Sequence, residues 1–124
     1  MHASQYLLLL LTFVVSCVLA APAADLQRRS GYSGDGTFYT VGLGSCGKTN
    51  SDSQMVAALN APQMGNNKYC GKTATVTGPK GEVTVTIVDT CPECSSGDLD
   101  LSPAAFDKIG SESAGRIKIT WNWS

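Results

Sequence analysis

Val83-Thr84-Val85-Thr86-Ile87-Val88-Asp89-Thr90-Cys91-Pro92-Glu93-Cys94-Ser95-Ser96-Gly97-Asp98-Leu99-Asp100-Leu101-Ser102 joins the strongest strand signal of the chain to its tightest cysteine pair and its two best-placed carboxylates. Residue type alternates through 83–89, which predicts a strand with Val83, Val85, Ile87 and Asp89 on one face and Thr84, Thr86 and Val88 on the other. Asp89 is then expected to end a row that faces the core. Leu99 and Leu101 alternate with Asp98, Asp100 and Ser102, so leucines anchored inward turn Asp100 to the opposite side, at the rim of the same core. Both carboxylates are thus held by rigid elements, and a disulfide within Cys91-Pro92-Glu93-Cys94 would stiffen the turn between them.

Upstream, Gly78-Pro79-Lys80-Gly81 is a tight-turn sequence with a proline placed to set φ, and residues 72–77 and 82–88 read as the arms of a β-hairpin. Downstream, Ser102-Pro103, the run Ala104-Ala105-Phe106-Asp107-Lys108-Ile109 and Gly110 supply an N-cap, a first-position proline and a stopping glycine. They predict a short helix with Phe106 and Ile109 toward the core. Ile117, Ile119, Trp121 and Trp123 share one face of a closing strand, alternating with Lys118, Thr120 and Asn122. Residues 37–41, β-branched and aromatic, read as a first strand, led in by a Gly/Ser/Asp stretch over 31–36 and followed by a long loop over 42–53. Residues 61–65, with Pro62 near the start, suit one helical turn. For Met55-Val56-Ala57-Ala58-Leu59, propensity points to helix and length to strand. Most strands are short, so a small closed barrel is the natural way to leave no edge unpaired.

The chain has 124 residues, enough for one domain. Residues 7–19 form a nearly unbroken apolar run too short for a membrane span, and Val18-Leu19-Ala20 has the small residues of a signal-peptidase site, although no Lys or Arg precedes the run. Residues 1–20 are therefore read as a secretory signal and 21–29 as a propeptide or flexible leader ending in the dibasic Arg28-Arg29, with the folded domain at 30–124. The expected location is extracellular or in a cell wall, with no membrane contact after signal removal. From residue 30 onward six Lys and one Arg face nine Asp and Glu, a net charge of −2 with His neutral, which argues against nucleic acid as a partner.

With Cys17 in the signal, Cys46, Cys70, Cys91 and Cys94 remain, and an even number in a small secreted domain points to two disulfides in one of three pairings. A four-cysteine zinc site would need a second Cys-x-x-Cys, and a thioredoxin-like role for Cys91-Pro92-Glu93-Cys94 would need a helix where a Gly/Asp loop follows. The one histidine, His2, leaves with the signal, so no metal or other cofactor is expected.

Ile87-Val88-Asp89-Thr90-Cys91-Pro92 followed by Leu99-Asp100-Leu101-Ser102-Pro103-Ala104-Ala105-Phe106 resembles the double-psi β-barrel domain of expansins, barwin and rare-lipoprotein-A-like proteins. Gly36-Thr37-Phe38-Tyr39 is similar to the family's first strand, and Gly44-Ser45-Cys46-Gly47 and Tyr69-Cys70-Gly71-Lys72 to its cysteine-bearing turns. Gly115-Arg116-Ile117-Lys118-Ile119-Thr120-Trp121 is similar to its last strand. The likeness covers roughly residues 34–123 and implies a mainly β, six-stranded double-psi β-barrel with short helices, in which 55–59 is a strand. It is that of a small, single-domain, secreted, loosenin-like member, without the second, carbohydrate-binding domain of full-length expansins. Resemblance to barwin implies that Cys46 pairs with Cys70, and with it Cys91 with Cys94.

The resemblance also implies a polar cleft lined by Thr37, Asp89 and Asp100. In related inverting endoglucanases the aspartate matching Asp100 is the general acid, which protonates the glycosidic oxygen. Inversion needs a second carboxylate roughly 6.5–9.5 Å away to activate water. Those enzymes place it shortly after the threonine, where this chain has Thr40 and Val41, while Asp35 lies on the other side of Thr37. Hydrolysis is therefore not expected. The preferred function is expansin-like, non-hydrolytic loosening of cell-wall polysaccharide (cellulose, chitin or a related glucan) by a monomer whose Tyr39 and Tyr69 stack on sugar rings. The alternatives are an inhibitor of a secreted papain-type protease or barwin-like defence module, and a lytic transglycosylase or weak endoglucanase. Asp89 has a competing structural use, accepting hydrogen bonds from backbone N–H groups of the 90–94 turn.

Overall fold

The computed structural model describes residues 31–124; the segments read as signal, 1–20, and leader, 21–29, lie outside the described residues. Six strands, β1 (Tyr32–Phe38), β2 (Val56–Asn60), β3 (Thr73–Gly78), β4 (Gly81–Cys91), β5 (Leu99–Leu101) and β6 (Ile117–Trp123), close into a barrel in the order β1-β5-β2-β4-β3-β6. The pairs β1/β5 and β2/β4 are parallel and the others antiparallel. The fold is the mainly β, six-stranded barrel that the family resemblance implies, and closure leaves none of these strands with a free edge.

The expected hairpin forms between β3 and β4, turning between Gly78 and Gly81. Alternation fills the barrel: β4 contributes Val83, Val85 and Ile87, β5 contributes Leu99 and Leu101, and β6 contributes Ile117, Ile119 and Trp121. Helix α1 (Ala61–Met64) and helix α2 (Pro103–Ile109) are both capped by side chains. Ser102 Oγ accepts from the Ala105 N–H at 3.2 Å and donates to the Gln54 carbonyl at 2.6 Å, so one buried hydroxyl starts α2 and ties it to the loop before β2. Phe106 and Ile109 of α2 are fully buried, each worth about 1.5–3 kcal/mol of burial. The Cys46–Cys70 and Cys91–Cys94 disulfides are both formed.

Two local features depart from the expected pattern. Strand β1 begins at Tyr32, well before residue 37, because Gly34 and Gly36 serve the ladder despite poor strand propensity. A Cβ on Gly36 would stand 2.9 Å from Ile119 Cγ2, and one on Gly34 would meet the Gly97 backbone. Close approach of neighbouring chain selects glycine here, overriding local preference.

The second departure moves a candidate site residue. Ala57 pairs with Ile87 but Ala58 pairs with Asp89, so Val88 is an extra residue, a β-bulge in β4. The alternation slips by one, and Asp89 does not continue the inward row of Val83, Val85 and Ile87. It lies in register with Ala58, whose neighbours Ala57 and Leu59 belong to the core, and so stands on the outer face of the barrel.

Gly97 sits at φ +91°, and a Cβ there would collide with the Ser33 carbonyl. Gly97→Ala is expected to lower the unfolding free energy by about 1–3 kcal/mol in a urea titration. An unshifted midpoint would show that the contact between residue 97 and β1 does not constrain the fold.

Candidate functional site

On the outer face the strand registers line up Thr37 of β1, Asp100 of β5, Ala58 of β2 and Asp89 of β4 in one row. The Thr37 hydroxyl donates to Asp100 Oδ1 at 2.8 Å. Asp89 is two strands from Asp100, roughly 10 Å at ordinary strand spacing. Its Oδ1 accepts from the N–H groups of Ser45, at 2.9 Å, and Thr90, at 2.8 Å. That is the backbone use weighed for Asp89 from the sequence, extended to Ser45, and it fastens the loop after β1 onto β4.

Thr37 and Asp100 open into a groove of about 400 Å³ that they share with Asp35, Glu93, Asp98 and Arg116, with the Cys91–Cys94 bridge in its wall. Asp89 is not among the residues that line it. Asp98 is occupied by backbone: Oδ1 accepts from the Asp35 N–H at 2.9 Å and Oδ2 from the Ser95 N–H at 3.0 Å. Asp35 is paired with Lys118 at 2.8 Å and Arg116 at 3.1 Å, and their hydrogen bonds hold its carboxyl below the usual range. Glu93 is exposed on the turn and makes no hydrogen bond among the described residues.

The groove rests on residues that the sequence reading missed. Asn60, fully buried, donates through Nδ2 to the Asp98 carbonyl at 2.9 Å and to Gln63 Oε1 at 2.7 Å, while that same Oε1 accepts from the Gly97 N–H at 3.0 Å. Trp121 Nε1 donates to the Gly97 carbonyl at 2.9 Å. The chain entering β5 is therefore held by α1 and β6 at once. Asn60-Ala61-Pro62-Gln63 carries the capping pattern that would have signalled half of this; nothing local signals the indole bond.

Burial pushes the Asp100 carboxyl up, and Glu93 and Asp89 push it further, against the Thr37 hydrogen bond and Arg116. Tyr39 is pushed up to about 12 by burial and then by Asp89, Asp100 and Asp52, and its buried hydroxyl has no hydrogen-bond partner among the described residues. Tyr39 thus keeps its proton within the field of both aspartates. Tyr69 lies elsewhere: its ring stacks on Trp123 at 4.8 Å with Lys68 and Lys72 over it at 5.3 and 5.8 Å, and it does not line the groove. Its ring is engaged by the protein's own side chains instead of being open beside Asp100. Among the described residues no group of three or more His, Cys, Asp or Glu is arranged to hold a metal ion.

The family model described as lytic transglycolase matches residues 32–121. A Bacillus subtilis expansin is 36% identical over 126 residues, covering 98% of this chain and 53% of its own length, so the chain spans about half of that relative. A crystal structure of an aspartate-to-asparagine mutant of Clavibacter michiganensis expansin in complex with cellohexaose superimposes with a TM-score of 0.70 at 33% identity, over 75% of this chain and 50% of that one. A Streptomyces papain inhibitor superimposes with a TM-score of 0.66 at 32% identity, over 73% of this chain and 91% of that one.

Because Asp100 is raised in the folded state, it opposes folding once the pH exceeds its folded-state value, and this penalty fades as the pH falls toward the ordinary value of 3.8. Asp100→Asn, which keeps an acceptor for Thr37, is expected to melt no lower than the native protein at pH 7, with the difference closing in acid. A lower melting temperature at pH 7 would make Asp100 a structural residue. Tyr39→Phe removes a buried hydroxyl without a partner and is expected to stabilise the fold by up to about 1–2 kcal/mol in the same measurement.

Proposed function

The chain belongs to the expansin-like double-psi β-barrel family, and from that premise we propose that it is a secreted protein that binds cell-wall polysaccharide and loosens it without hydrolysis. The observation that carries this reading is the Thr37–Asp100 pair, hydrogen-bonded at 2.8 Å in an open groove on the outer face. With the Thr37 proton directed to Asp100 Oδ1, the Thr37 oxygen and the Asp100 carboxylate present fixed acceptors to sugar hydroxyls, and each bond made to a chain in the groove replaces one between neighbouring chains of the wall. Two disulfides and the apolar run at 7–19 support secretion.

The surroundings of Asp100 support binding over inverting hydrolysis. A general base needs a free carboxylate of adequate basicity. Asp98 has both oxygens on backbone N–H groups, and Asp35, held low by Lys118 and Arg116, is a poor proton acceptor. Glu93 is the one other groove carboxylate left free among the described residues, and it stands exposed on the 91–94 turn with no partner there to fix it opposite Asp100. A lytic transglycosylase would need only Asp100 as acid and base, with the sugar's own hydroxyl as nucleophile, and would release anhydro-sugar.

A second reading, inhibition of a papain-type protease, is favoured by the likeness over 91% of the Streptomyces inhibitor and by one surface feature. Leu43 is 74% exposed on a small hairpin, paired with Thr49 and braced by the Cys46–Cys70 disulfide. A rigid loop that already holds its apolar side chain in solvent loses little freedom on docking into a protease cleft.

Purified protein is expected to be retained on cellulose or chitin and to weaken filter paper without releasing soluble reducing ends. Asp100→Asn is expected to cut retention about tenfold or more, the loss of a hydrogen bond to a charged group. Release of reducing ends would turn the reading to hydrolysis, and anhydro-sugar to transglycosylation. Papain inhibition that survives Asp100→Asn and is lost in Leu43→Ser, with no polysaccharide retained, would replace it by the inhibitor reading.

A further inference from the structure

We propose that the polysaccharide chain continues past the Thr37–Asp100 groove along the outer face of β1 into a second, hydroxyl-lined groove formed by Ser33, Thr120 and Thr77. The inference rests on the polysaccharide reading above and adds a subsite to it. Its ligand class is a linear, uncharged, β-linked glycan long enough to reach both grooves.

The outer face of β1 carries Ser33, Asp35 and Thr37, in alternation with Gly34, Gly36 and Phe38. Ser33 lies four residues from Thr37, roughly 13 Å along an extended strand, which is longer than a single sugar ring. In register, Ser33 stands beside Thr120 of β6, and Thr120 beside Thr77 of β3, so three hydroxyls form one row across three strands. Together with Lys118 they line a shallow groove of about 450 Å³. All three side chains are exposed and make no hydrogen bond to another described residue. Thr75, one step further along β3, differs: its hydroxyl is 2.8 Å from Ser124 Oγ.

The two grooves meet at one ion pair. Asp35 lines the first, Lys118 lines the second, and they are 2.8 Å apart. This pair joins the two grooves, with an acceptor on one side and a donor on the other, both suited to hydroxyls of a chain crossing it. Threonine on an exposed strand is often there for its β-branched shape alone. A row of unbonded hydroxyls that continues a polar line from the first groove is a different arrangement, because threonine offers a sugar both a hydroxyl and a methyl for the apolar face of its ring.

The test compares chain lengths. Cellohexaose and chitohexaose, with cellobiose and chitobiose as short probes, are titrated into the native protein, the double variant Thr77→Val with Thr120→Val, and Ser33→Ala. Valine keeps the strand-favouring shape, so the ladder should be retained, and melting temperatures check it. The double variant is expected to bind the hexasaccharides about fivefold or more weakly while leaving disaccharide binding unchanged, the scale of one or two lost hydrogen bonds. Ser33→Ala, which leaves the β6–β3 ladder untouched, is expected to show a smaller loss with the same length dependence. Hexasaccharide binding unchanged in both variants but abolished by Asp100→Asn would overturn the second groove and leave the first intact. No binding of either hexasaccharide by the native protein would overturn both.

Discussion

The site depends on three residues of β5 held between two strands of opposite sense. Leu99 and Leu101 are fully buried in the barrel, and Asp100 between them has no choice but to face outward. Parallel pairing with β1 sets Thr37 beside it, and antiparallel pairing with β2 sets Ala58 on its other side. A slip of one residue in either ladder would bury the carboxylate and expose two leucines, at about 1.5–3 kcal/mol each. The register is therefore enforced by the core, and the position of the carboxylate is a by-product of packing. That is why the Asn60, Gln63 and Trp121 bonds to the 97–98 backbone matter: they fix the chain just before it enters this strand.

What the fold gives up lies close to the same row. The Asp100 carboxyl is kept where burial and like charges oppose its ionisation, and the Tyr39 hydroxyl is buried without a partner. A sequence optimised only for stability would replace both, since buried polar groups are ordinarily satisfied. The unfavourable groups sit together around Asp100 and Asp89, whereas Asp35 and Asp98, elsewhere in the groove, are fully engaged. Such clustering is how a site differs from a scaffold.

Much of this was legible in the chain itself. Leu-Asp-Leu alternation placed Asp100 outward, the Gly-Pro-Lys-Gly turn placed the hairpin, and Ser102-Pro103 placed the helix. The bulge was not legible, because Val88 fits an uninterrupted strand by every local criterion. Only the simultaneous pairing of β4 with β2 reveals it, and it moved Asp89 from the inner face to the outer one. Gly34 and Gly36 looked like a flexible lead-in because their role, close approach to Gly97 and Ile119, is purely tertiary. The surroundings of Tyr69 were hidden for the same reason: an aromatic beside a cysteine says nothing of the Trp123 ring, from the far end of the chain, that stacks on it.

One barrel type serves an expansin that is seen with cellohexaose and an inhibitor of papain, so the barrel alone does not choose between a sugar and a protein as ligand. In this chain the two candidate surfaces belong to different elements. The groove is built by β1, β5 and the 91–98 turn, and the Leu43 hairpin belongs to the loop after β1, anchored by Cys46–Cys70. Asp89 connects them, for its carboxylate holds the Ser45 N–H of the hairpin while its charge bears on Asp100. Without the bulge Asp89 would turn inward, which would free the hairpin and relax the Asp100 carboxyl in one step. The extra residue in β4 is thus a shared support of both surfaces, and sequence change at either one is constrained by the other.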